Sequence, residues 1–111
     1  MRTLKFIIDE QIIKPDPNCD FTGLVPGTGG YLQAEFSFSH EWNGCVKAAV
    51  FSSALGIEYG TYILVDGKTC MIPSNALKNR VFKVKVIGER DNFRLTTGTI
   101  TVHQDGGKNN D

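Results

Sequence analysis

The chain lacks an excess of charge of either sign, because twelve Lys and Arg balance twelve Asp and Glu over 111 residues. Nucleic-acid binders usually carry a basic excess and membrane-surface binders a basic stripe, so no nucleic acid and no membrane partner is expected. Long apolar runs are also missing: the longest fall far short of the roughly 20 residues that a membrane helix needs. Met1 to Glu10 lacks the apolar region and small-residue cleavage site of a signal peptide, so a soluble, non-exported domain is expected. Cysteine is scarce. Cys19, Cys45 and Cys70 cannot all pair within one chain, and their spacing fits no CxxC metal or redox motif. They read as free, mostly buried thiols from a reducing compartment.

What is present is β patterning. Leu32, Ala34, Phe36 and Phe38 alternate with Gln33, Glu35, Ser37 and Ser39, the period of a strand with one face on a core. Phe82, Val84 and Val86 alternate with Lys83 and Lys85 in the same way, and Leu4, Phe6 and Ile8 open the chain similarly. Val46 to Ser52 and Tyr59 to Val65 alternate less cleanly, as strands covered on both faces do. From Phe93 to Val102 the apolar positions switch parity between Leu95 and Ile100, which predicts a bulge or bend at Gly98.

Turn chemistry separates these runs. Asp66-Gly67 predicts a two-residue hairpin, since a type I′ turn needs positive φ at both centres. Asn43-Gly44 either closes a second tight hairpin, with Phe36 facing Phe51, or tips a loop that crosses between sheets. Ser74 is placed to N-cap one short helical turn through Leu77. Lys14 to Gly30 holds too many prolines and glycines for a central strand, and Asp105 to Asp111 has no apolar residue. About seven short strands without a long helix predict an all-β sandwich in one domain, residues 1–103, with a flexible tail over 104–111.

Chemistry is harder to find. His40 and His103 are the only histidines, and Cys45 is the one thiol close to either in sequence. The thiol-enzyme signatures are missing, so neither a catalytic residue nor an enzyme is expected. Gly27-Thr28-Gly29-Gly30 lacks the strand, helix and Lys of a phosphate loop. Asp9-Glu10 and Asp16 to Asp20 lack the ligand spacing of a calcium loop, so no metal or cofactor is expected. Phe21, Tyr31, Tyr59, Tyr62 and Phe93 lie near loops or strand ends, where rings could stack on a sugar. Such rings more often fill a core or its rim.

Two resemblances add to this reading. The stretch Ile72-Pro73, Leu77, Phe82-Lys83-Val84-Lys85-Val86 resembles the corner of an immunoglobulin-like or fibronectin-type sandwich. There Leu77 would plug the loop and Phe82 would open an inward-facing strand, with Trp42 as the anchor between the sheets. The succession Gly27-Thr28-Gly29-Gly30-Tyr31-Leu32, Glu35 to Gly44, Lys47-Ala48-Ala49-Val50-Phe51 and Cys70 to Leu77 resembles small phage and prophage proteins of Gram-positive bacteria. The likeness runs from about Leu24 to Val102. It implies a non-enzymatic virion structural protein of the tail, baseplate or fibre, present in the host cytoplasm during assembly and then in the virion. Other phage structural proteins would be its partners, in an oligomeric assembly. The alternative is a carbohydrate-binding or adhesion module that takes a cell-surface glycan. Ile7, with Ile12 and Ile13 just beyond the first strand, is expected to offer an open edge for that assembly.

Overall fold

The computed structural model describes residues 1–104 and forms an all-β sandwich of two sheets. Nine strands lie among these residues: β1 Arg2–Asp9, β2 Ile12–Pro15, β3 Leu32–Phe38, β4 Val46–Ser52, β5 Glu58–Ile63, β6 Thr69–Met71, β7 Val81–Arg90, β8 Phe93–Thr96 and β9 Ile100–His103. Sheet A has the order β2-β1-β3-β6, and sheet B the order β5-β4-β7 with β8 and β9 both along the far side of β7. The count exceeds the expected seven for two reasons. Ile12–Pro15 forms an edge strand, where Pro15 is tolerated because no ladder needs its missing N–H. The last strand divides at its parity switch, into β8 and β9.

The division is a bulge. Ile87 stands opposite Thr96 and Val84 opposite Ile100, which leaves one residue too many on the outer strand. Thr97 absorbs it. Its N–H donates to Val86 O at 3.0 Å, and its hydroxyl accepts the Val86 N–H at 3.0 Å. Gly98 is not conformationally required there, but its N–H donates across to Gln11 O at 3.1 Å and ties the bulge to sheet A.

Between β3 and β4 the chain crosses from sheet A to sheet B, so Asn43-Gly44 is part of a crossing loop and Phe36 does not pair with Phe51. A single 3-10 turn, His40–Trp42, fills the crossing. Asp66-Gly67 does have φ of +54° and +68°, and Val65 bridges Thr69 around it. However, the flanking strands β5 and β6 belong to different sheets, so the turn makes a sandwich corner and not a hairpin. The helical turn α1 Ser74–Leu77 begins one residue earlier than expected: Pro73 is its N-cap, and Ser74 makes no capping bond.

β1 lies between β2 and β3, antiparallel to the first and parallel to the second. A parallel pair needs a crossover, and Asp16 to Tyr31 provides one as a loop. It is pinned by Arg2, whose guanidinium donates to Asp20 O and Thr22 O, and by Leu24, which is buried. The core between the sheets is built from Leu4, Phe6, Ile8, Ala34, Phe36, Ala49, Phe51, Phe82, Val84 and Val86. Gln104 also belongs to this body and not to a tail. It is 2% exposed, and its side-chain amide donates to Leu77 O and Asn79 O. The rest of the expected tail lies outside the described residues.

Candidate interaction surface

Trp42, Leu77 and Phe82 are all in the core and wholly buried. Trp42 lies on Gly88, where an added Cβ would fall 2.7 Å from the indole, and its Nε1–H donates to Glu10 O at 2.8 Å. Leu77 holds the loop by accepting the Gly27 N–H through its carbonyl. Ile13 faces inward and is buried, so it offers no surface. Ile7 and Ile12 share the outer face of sheet A, Ile7 half-buried opposite Lys14 and Ser37, and Ile12 exposed. The structure therefore corrects the expected open edge: β1 is internal and paired on both sides. β7, which carries Lys83 and Lys85, is likewise internal, in sheet B.

The residues considered for chemistry have different partners. The imidazole of His40 is exposed, 3.8 Å from the carboxylate of Glu41. Cys45 is buried, with its sulfur 3.3 Å from the guanidinium of Arg90. That guanidinium also donates to Glu41 O and Asn43 O and lies over the Phe93 ring, so it clamps the crossing loop onto the β7–β8 turn. Burial pushes the Cys70 thiol up to about 12, which makes it inert. Hydrogen bonds from Thr22 hold the Asp20 carboxyl below its usual range. No group of three or more His, Cys, Asp or Glu that could hold a metal occurs among the described residues. No helix among them is long and apolar enough to cross a membrane.

The rings considered for sugar stacking are divided. Phe21 packs edge-on against Phe6 and Tyr59 against the core, its hydroxyl accepting from Asn79. Tyr31 is exposed alone, Tyr62 leans on Phe51, and Phe93 lies beneath Arg90. They form no common platform.

The outer faces of the two sheets differ in chemistry. On sheet A the outward residues of β1 and β3 are mostly polar and matched across the strands. Thr3 accepts from Gln33 at 2.9 Å, and Lys5 stands opposite Glu35. On sheet B the alternation that buries Ala49, Phe51, Phe82, Val84 and Val86 turns Val46, Ala48, Val50, Thr61, Ile63 and Ile87 outward. Val46 is 64% and Ile63 69% exposed, and both line a shallow groove of about 350 Å³ with Ala48, Thr61, Ile87 and the Glu89–Arg94 ion pair. An antiparallel sheet with a solvated face is ordinarily polar outside, and this apolar strip departs from that pattern.

Sequence reasoning reached part of this. The blurred alternation of Val46 to Ser52 reads as burial on both faces, which holds at Val50, buried although it faces outward, and fails at exposed Val46. It was wrong about Tyr59 to Val65, which forms an edge with Ile63 and Val65 exposed. Ile87 could have been found as the apolar residue that breaks the polar outer parity of Lys83 and Lys85. Compared with known proteins, the chain matches no protein-family model, no curated protein and no solved structure.

Proposed function

We propose that the protein is a non-enzymatic structural component of a phage or prophage particle, a tail or baseplate module that works by docking on other virion proteins. The observation that carries this reading is the apolar outer face of sheet B, a surface suited to burial against protein. The resemblance from about Leu24 to Val102 supplies the phage context. The non-catalytic part is supported by the partners of these groups: the buried Cys45 sulfur takes its hydrogen bond from Arg90 and the exposed His40 imidazole lies by Glu41, whereas a thiol enzyme needs its base within hydrogen-bond reach of the sulfur. Assembly would take place in the host cytoplasm, where three free thiols persist.

The test is to tag the protein in its host, induce particles and purify them by density gradient. Co-sedimentation at fixed stoichiometry, lost on Ile63→Lys, is the expected result. Absence from particles together with saturable retention on cell-wall glycan would replace this reading with the adhesion module.

A further inference from the structure

We propose that the outer face of sheet B seats a second copy of this chain, across a two-fold axis along the row Ile87–Ala48–Ile63. The inference rests on the reading above that the protein acts through assembly, and it names the occupant of the face.

The argument is one of pattern. Ile87 pairs with Ala48, and Ala48 with Ile63, so these three outward residues form one row across β7, β4 and β5. A two-fold axis along that row reverses the strands and lays each sheet face on its copy, with β7 over β7 and β5 over β5. All three apolar residues then meet themselves. On β7 the charges nearest Ile87 are antisymmetric about the same point: Lys85 precedes it by two residues and Glu89 follows it by two. Reversal places Lys85 over Glu89 of the second copy. On β4 it lays Val46, the most exposed residue of that strand, over the Val50–Thr61 row of the second copy. Arg94, already paired with Glu89, stays at the rim.

A foreign partner would not require such a palindrome, whereas a second copy does, because a two-fold interface must be complementary to itself. Facing sheets pack about 10 Å apart with their strands within about 30° of each other, which suits side chains of this size. The polar outer face of sheet A has no corresponding pattern: there Lys5 stands opposite Glu35 and Thr3 opposite Gln33 within one copy.

The test uses the full chain and three surface variants. Sedimentation over a concentration series should show a monomer–dimer equilibrium. Lys85→Glu should weaken the dimer by about tenfold or more, since it puts like charges face to face. Adding Glu89→Lys to the same chain should restore it, because every reversed charge then meets a reversed partner. Ile87→Cys should give a covalent dimer with a bismaleimide crosslinker that spans about 10 Å, the spacing of facing sheets and too wide for a direct disulfide, while the unsubstituted chain and Thr3→Cys on sheet A should not. Circular dichroism melts would verify that each variant is folded. A chain that stays monomeric at every concentration, or a dimer indifferent to both charge reversals, would overturn the proposal. A dimer with these properties that is missing from purified particles would overturn the virion reading alone. Particle incorporation of a strict monomer would do the opposite.

Discussion

Single residues decide how the two sheets are joined, and Trp42 is the clearest case. It ends the 3-10 turn of the crossing loop, packs at a tilt against Phe38 at 5.1 Å between ring centroids, and reaches sheet A through its bond to Glu10 O. Trp42→Ala should cost about 3–5 kcal/mol, a large share of the stability of a small domain, as a urea titration would measure. Gly88→Ala approaches the same contact from the other side. The added methyl would press into the indole, so about 1–3 kcal/mol of destabilisation is expected from overpacking. Gly88→Ala combined with Trp42→Phe should recover part of that loss if the indole is the obstacle.

The thiols differ by environment as well. Cys70 should resist alkylation in the folded state at pH 8, whereas the half-buried Cys19 should label first, readable by mass spectrometry. The sign of the pH effect follows from the raised thiol. Folding favours the protonated form, so the contribution of Cys70 is intact below its ordinary pKa of 9.0 and is lost as pH rises toward about 12. Cys70→Ala should flatten the fall in stability between those values.

At the level of elements, the devices that bend and close the strands follow local rules that can be read early. The parity switch between Leu95 and Ile100 announces the bulge correctly, because period-two patterning cannot change face without an extra residue. The residue that stabilises it is not the glycine. Thr97 supplies a hydroxyl in place of a ladder acceptor, and Thr97→Val would leave the buried Val86 N–H without it. About 1–3 kcal/mol is expected from that unsatisfied donor, while Thr97→Ser should be much milder, as paired thermal melts would show. Asp66-Gly67 shows the limit of such rules. Positive φ at both centres was correctly expected there, yet a turn that reverses the chain does not choose the sheet to which the next strand is added. That choice lies with Leu64 and Cys70, both buried on opposite sides of the corner.

For the whole molecule, the arrangement of neighbours separates inner from outer and edge from centre. The first strand illustrates this. Its alternation says which face is buried, but β1 is covered on both sides because β2 folds back on it and β3 joins in parallel after a long loop. Ile7→Lys should therefore leave self-association unchanged and shift stability by only about 0.5 kcal/mol, in contrast to Ile63→Lys, as parallel sedimentation and melting experiments would show. The sequence by itself determined the all-β class, the core faces of β1, β3 and β7 and the place of the bulge between Leu95 and Ile100. Those follow from periodicity and turn chemistry, which act over a few residues. Only the tertiary structure decided that Asn43-Gly44 crosses between sheets, that Ile13 is interior and that Ile63 joins Ile87 in one apolar row. These depend on pairings between strands distant in the chain, and the backbone hydrogen bonds that make them are the same whichever strand is the partner.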